Sequence, residues 1–353
     1  MRIGIIGLPS SGKSTLFSLL TGEREPPDFS LGNKPRLRTV KLEDARLERL
    51  RDDYQPRKYT PASFELLDFP GVQLENVDRS GLADILAPAR ELDALIVSLG
   101  GFRAAAESFA KVIASDWDEV LGELVLSDLD VVERRLEKLA DKSRRPNFSD
   151  DDRREQQLLG RSRGLLEAER PLTELELGAE DRKRLLGFGF LSAKPRVFVL
   201  NLESGPAPQD VVESLRAVCG GEVLAVCALS ELEISELPPE EREVFLAEYG
   251  IDEPQAANVI AAAYRVAERM SYFTAGEKEV RAWTVRVGAK APEAAGAVHT
   301  DFERGFIRAE VVSYADYVAD GGLKGAREKG HLRVEGREYV VQDGDIIEFR
   351  FAV

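Results

Sequence analysis

The sequence predicts an α/β chain in which a parallel sheet is covered by helices, interrupted by a helical hairpin and followed by a small α+β module. Three observations carry this. Short apolar runs alternate with helical stretches over residues 1–110 and again over 195–275, as in parallel sheets covered on both faces. Residues 111–194 between them hold no strand-like run. Residues 276–353 after them are rich in β-type runs separated by glycine-containing turns. The expected organisation is a discontinuous sheet domain (1–110 with 195–275), a hairpin domain inserted at 111–194, and a terminal module at 276–353.

Taken in order, Arg2–Ile6 and the runs at 62–69 and 94–99 supply the first strands, with helical pieces between them. In the insertion, Leu129, Val132, Leu136 and Leu139 recur at spacings of three, four and three, an apolar seam of the a/d kind. The break at 145–150 offers a turn and a new helix start, so a second helix over 151–169 is expected to lie antiparallel to the first. The polar face of this hairpin carries Arg134, Arg135, Lys138, Lys142, Arg144, Arg145, Arg153, Arg154, Arg161 and Arg163. Two readings of that face stay open: a solvated surface with partners such as Glu133 and Glu137, and a docking face for RNA or an acidic partner. Strands return at Arg196–Asn201 and 222–227, with helices expected near 208–218, 239–249 and 254–270. In the terminal module, strands are expected at 280–287, Phe306–Val312, 331–334, 337–341 and Ile346–Phe351. A turn at 342–345 and one short helix near 315–329 complete it.

Composition narrows the function classes. A chain of 353 residues that is 43% hydrophobic and 31% charged has the make-up of a globular protein with room for two or three cores. No apolar stretch approaches ~18 residues, so no membrane-spanning helix is expected. The amino end offers no signal-peptide pattern. The cysteines are Cys219 and Cys227 and the histidines His299 and His331. So few of either argue against zinc, disulfide or histidine-based chemistry and favour a reducing, cytoplasmic setting. The formal charge of −15 argues against a broad nucleic-acid surface, and no sequence-specific DNA binding is expected.

The chemistry is concentrated in Gly7-Leu8-Pro9-Ser10-Ser11-Gly12-Lys13-Ser14-Thr15, directly behind the first strand. Gly7 and Gly12 allow consecutive backbone N–H groups to turn inward, and the helix that follows adds the positive end of its dipole. Together they make a phosphate cradle. Ser10, Ser11, Gly12, Lys13, Ser14 and Thr15 are the expected phosphate contacts. Lys13, reaching the β- and γ-phosphates, is the candidate catalytic cation, and Ser14 is placed to ligate Mg²⁺. Asp68-Phe69-Pro70-Gly71 ends the run at 62–69. There Asp68 is the second metal candidate, acting through water, and the Gly71 N–H the γ-phosphate contact. Val72 stands where many GTPases carry a water-orienting glutamine, and a valine cannot polarise water. Hydrolysis is then slow, or another group completes the site. Asn201-Leu202-Glu203-Ser204 closes the strand after the insertion, where Asn201, Leu202 and Glu203 are expected to contact the base, with Cys227 and Ala228 as a further wall. Ser204 cannot offer guanine the paired acceptors of a carboxylate, which leans recognition from GTP toward ATP.

With these pieces assembled, the chain resembles the YchF family, Obg-related P-loop NTPases with an inserted helical domain and a C-terminal TGS domain. The resemblance runs nearly end to end. Its most specific part is Tyr272-Phe273-Thr274-Ala275-Gly276-Glu277-Lys278-Glu279-Val280-Arg281-Ala282-Trp283-Thr284, and Ala294-Ala295-Gly296, the stretch from His299 to Val311 and Tyr339-Val340-Val341-Gln342-Asp343-Gly344-Asp345 are also telling. The resemblance implies a β-grasp fold for the terminal module, hydrolysis of ATP as well as GTP, a hydrophobic residue after the Asp-x-x-Gly motif (here Val72), and association with the ribosome, through its RNA or protein. The chain departs from the family pattern in three places. Ser10-Ser11 replace Asn-Val, Gly32 stands where the family carries a metal-binding threonine, and the glutamate of the base-reading motif falls one place early, at Glu203. The expected function is a Mg²⁺-dependent NTPase of slow intrinsic rate acting on ATP or GTP as a ribosome-associated switch. The alternative is a nucleotide-binding adaptor without hydrolysis, which Gly32 and Val72 support.

Overall fold

The computed structural model describes residues 1–23, 35–70, 86–103 and 109–352. It divides into two compact units, Met1–Arg38 with Glu65–Ala263, and Thr39–Phe64 with Tyr264–Val353. Among the described residues no helix is long and apolar enough to cross a membrane.

The first unit is built on a sheet of order β2-β4-β1-β5-β6-β7. Its strands are β1 (Arg2–Ile6), β2 (Arg36–Lys41), β4 (Ser63–Asp68), β5 (Ala94–Gly100), β6 (Arg196–Asn201) and β7 (Val223–Val226), the division between the units falling inside β2 and β4, while β3 (Tyr59–Thr60) joins the other sheet. β1 is parallel to both β4 and β5, and β5, β6 and β7 continue in parallel. All seven residues of β5 are buried, the signature of a central strand covered on both faces. Because β4 and β5 flank β1 on opposite sides, the loop leaving the carboxyl end of β1 opens where strand order reverses. Ligands of open α/β sheets bind at such a point.

The helix Phe109–Ser143 serves two cores in succession. Its first turns place Ile113, Trp117, Val120 and Leu124 in the sheet core, where Trp117 meets Phe198 edge-on at 4.8 Å. Further along, Val125, Val132 and Leu139, seven residues apart, pack on Leu158, Leu159 and Leu166 of the helix Asp150–Glu167. The hairpin is therefore an extension of a sheet-domain helix, and an insertion boundary drawn at 111 falls inside that helix. Ser149 starts the second helix with a capping box. Its hydroxyl accepts from the Asp152 N–H at 3.1 Å, and Asp152 accepts from the Ser149 N–H at 2.9 Å. Much of the basic face is tied down, with Arg135 on Glu155 at 2.6 Å and Lys142 on Asp152 at 2.8 Å, both across the hairpin. Arg134 pairs with Asp130, and Arg153 with Asp150.

The second unit has a mixed sheet of order β11-β10-β12-β8-β9-β3. Here β8 is Arg269–Ala275, β9 Val280–Arg286, β10 Phe306–Val312, β11 Arg333–Glu335 and β12 Ile346–Phe351. β8 and β9 form a hairpin, and β12 runs antiparallel to β10 and parallel to β8, the β-grasp arrangement. On one face the helix Ala291–Val298 packs its alanines against Tyr272, Val285 and Phe349. The Tyr272 hydroxyl there donates to the Ala294 carbonyl at 2.7 Å. On the other face Leu47 and Leu50 of the helix Ala45–Tyr54 bury against Phe273, Val280, Val312 and Ile346.

Several expectations differ from this structure. Residues 39–64, read with the sheet domain, belong to the second unit, because Leu47 and Leu50 fill its core and β3 pairs with β9. The helix expected over 254–270 covers Ala256–Val266. Glu268 then adopts a left-handed φ of 52° and the chain enters β8, so a module boundary at 276 would cut β8 from its hairpin partner. The strand expected at 337–341 is a turn making one bridge, Lys290 with Val340. The helix near 315–329 is two, Tyr314–Ala319 and Leu323–Glu328, parted by Gly321 and Gly322 at φ 72° and 110°. The helices Ala291–Val298 and Thr300–Arg304 were not foreseen.

Candidate nucleotide site

Between β1 and the helix α1 (Lys13–Thr21), the backbone turns through left-handed conformations at Ser10 (φ 59°) and Gly12 (φ 84°), while Gly7 sits at φ 150°. Glycine is required twice over. A Cβ on Gly7 would lie 2.4 Å from the Ser98 carbonyl oxygen, and one on Gly12 would lie 2.0 Å from Asn201 Nδ2. The loop is braced from both sides. The Ser98 hydroxyl of β5 donates to the Ser11 carbonyl at 2.9 Å, and Asn201 Nδ2 at the end of β6 donates to that same carbonyl at 3.4 Å. The Ser11 hydroxyl is buried and has no hydrogen-bond partner among the described residues.

Lys13 is 6% exposed, and its ammonium donates to the Leu8 carbonyl at 2.6 Å, so it is held back over the loop's own backbone. Burial lowers its pKa to about 8. Asp68 opposes that shift, while Arg103 adds to it. Ser14 and Thr15 follow on the first turn of α1. The Ser14 hydroxyl, exposed, donates to Asp68 Oδ2 at 3.1 Å, so the two sequence-predicted metal residues are brought together. Asp68 Oδ1 is buried without a partner among the described residues. Arg36 Nε donates to Asp68 Oδ2 at 3.1 Å, Nη2 of Arg36 contacts the same oxygen, and the guanidinium lies 4.9 Å from the Phe17 ring centroid.

The base side is assembled differently. Asn201 is buried, and its Oδ1 accepts from the Ala228 N–H at 3.2 Å, so both ends of its amide are engaged within the fold. Leu202 is also buried, donating its N–H to the Val226 carbonyl at 2.8 Å. Glu203 and Ser204 are exposed and, with Gly205, line a cleft of about 570 Å³ whose other wall is Ala247, Glu248, Tyr249 and Gly250. The Gly205 N–H donates to the Tyr249 carbonyl at 2.9 Å, which sets the floor. Cys227 and Ala228 are buried outside that lining, with the Cys227 thiol 3.5 Å from the Gly205 carbonyl and pushed up to about 11 by burial. Gly71, Val72 and Gly32 lie outside the described residues.

Sequence reasoning missed Arg36, Ser98 and the segment 247–250. Ser98 had a readable signal, a lone hydroxyl inside the apolar strand Ala94–Gly100. Arg36 had none, because only folding brings it to Asp68.

With this geometry in hand, comparison with known proteins is decisive. A Bacillus subtilis protein named ribosome-binding ATPase YchF is 38% identical over 366 residues that cover the whole of both chains. The chain belongs to the YchF family. The protein of the same name from Escherichia coli O157:H7 is likewise 38% identical, covering all of this chain and 99% of its own. Residues 270–352 match a family model for the YchF-GTPase C-terminal region, described as a protein of unknown function, and residues 2–125 match one described as 50S ribosome-binding GTPase. The solved YchF GTPase of Schizosaccharomyces pombe shares the fold at a TM-score of 0.81 and 24% identity, covering 99% of this chain and 97% of its own.

Proposed function

We propose that this YchF-family chain is a P-loop NTPase that binds ATP or GTP with Mg²⁺ at residues 7–15, hydrolyses it slowly, and acts as a switch on the ribosome. The observation that carries the reading is a glycine-shaped cradle at the reversal point of a parallel sheet, with the buried Lys13 ammonium folded over it. Such a cradle meets a polyphosphate with main-chain N–H groups, a helix dipole and one cation. The full-length relatives named ribosome-binding ATPase support the ribosomal role and, with it, a cytoplasmic setting.

The donor set suits magnesium. Ser14 and Asp68 offer hard oxygens, and the buried, unpartnered Asp68 Oδ1 has capacity to spare. No cluster of three or more His, Cys, Asp or Glu that could hold a metal occurs among the described residues, in keeping with a cation held largely by phosphate and water. Bound there, Mg²⁺ would neutralise charge on the β- and γ-phosphate oxygens. The base would enter the cleft at Glu203–Ser204, where the absence of a carboxylate at 204 favours adenine.

Single-turnover phosphate release from ATP and from GTP, with and without ribosomes, tests the reading. Release that ribosomes accelerate is expected. Binding without release under either condition would leave the adaptor alternative standing.

A further inference from the structure

We infer that Arg36 is a built-in counter-cation of the metal-binding carboxylate, a residue whose positive charge competes with a divalent ion for Asp68. The inference rests on the Mg²⁺-dependent reading above and goes beyond it. Three features carry it. First, Arg36 Nε and Nη2 both address a single oxygen, Asp68 Oδ2, which is also the oxygen taken by Ser14. A guanidinium used for structure alone would favour the fork-to-fork pairing that satisfies both carboxylate oxygens. Here Oδ1 is left buried and without a partner among the described residues. Second, the pair is enclosed, with side chains 11% and 6% exposed, so water screens it little. Third, the guanidinium rests over Phe17, a buried residue of the helix that carries Ser14, which fixes it at the site.

The consequence is a competition between cations. With Arg36 in place, a polyphosphate arriving without metal meets Lys13 and a neutralised Asp68. With Arg36 gone, it meets a bare carboxylate beside the cradle. Arg36 therefore raises metal-free nucleotide affinity and lowers the advantage that a divalent ion confers. Replacing the guanidinium by an uncharged, unbranched side chain isolates the effect of the charge.

The test is calorimetric titration of the full chain with ADP and with a non-hydrolysable ATP analogue, in excess EDTA and in Mg²⁺, for wild type, Arg36→Gln and Arg36→Met. The ratio of Kd in EDTA to Kd in Mg²⁺ is expected to rise about tenfold in the variants, by loss of metal-free affinity and gain of metal-dependent affinity. A second readout is Mn²⁺ binding in the presence of ADP, followed by electron paramagnetic resonance and expected to tighten about tenfold. Should the glutamine variant fail to fold by circular dichroism, the methionine variant carries the test. An unchanged ratio, or equal weakening in both conditions, overturns the role of Arg36 while leaving the NTPase reading intact. Failure of the wild type to bind nucleotide in either condition overturns that reading and this inference with it.

Discussion

The proposed phosphate end of the site is made of buried backbone, whereas its proposed base end is made of exposed loop. At the first, a Cβ on Gly7 or Gly12 would collide with Ser98 or Asn201, the Lys13 ammonium is held on the Leu8 carbonyl, and Ser98 and Asn201 brace the Ser11 carbonyl. At the second, Glu203 and Ser204 face an open cleft. The difference teaches where binding energy and selectivity reside. A preorganised cradle would spend little entropy on ordering and grip any nucleoside polyphosphate, while exposed side chains would discriminate weakly between bases.

Asn201 joins the two ends, and its replacement should have the largest effect on this contrast. Asn201→Ala leaves the buried Ala228 N–H without its acceptor and removes a brace from the Ser11 carbonyl. A loss of about 1–3 kcal/mol in stability is expected, with ATP and GTP affinities weakened by the same factor. Thermal unfolding and paired titrations check this; a change in the ATP:GTP ratio would make Asn201 a base reader and not a brace. Ser204→Asp should act in the opposite way, shifting the affinity ratio toward GTP by up to about tenfold with stability unchanged, since the residue is exposed. An unaltered ratio in competition titrations would place base selection elsewhere in the cleft. The smallest effect concerns protons. Lys13 titrates near 8 in the free protein because burial disfavours its charge, and a polyphosphate would draw its pKa back toward the ordinary value. Binding should therefore take up a proton above about pH 8, and affinity should fall as pH rises from there. Titrations at pH 9 in buffers of different ionisation enthalpy measure this uptake; identical heats across buffers would contradict it.

What was legible in the sequence follows the same divide. The cradle is local, so nine consecutive residues announce it, and the fold brings Ser14, on the first turn of α1, to Asp68, at the end of β4, across 54 positions. The parallel sheet and the hairpin seam were readable from period alone. Long-range choices were not. Nothing local tells that Leu47 and Leu50 bury on the second unit's sheet, that Glu268 reverses the chain into β8, or that Arg36 meets Asp68. At the base loop the fold adds a role that the residue type does not announce: both ends of the Asn201 amide are engaged, on the Ser11 carbonyl of the cradle and on the Ala228 N–H.

The most direct measurement is calorimetric titration of ATP and GTP, with Mg²⁺, into the wild type and into Lys13→Ala. Micromolar or tighter binding by the wild type is expected, with a loss on the order of a hundredfold in the variant while circular dichroism and the unfolding midpoint stay unchanged. Equal affinity in the two proteins would contradict a cradle that grips the phosphates through its main chain and a single ammonium.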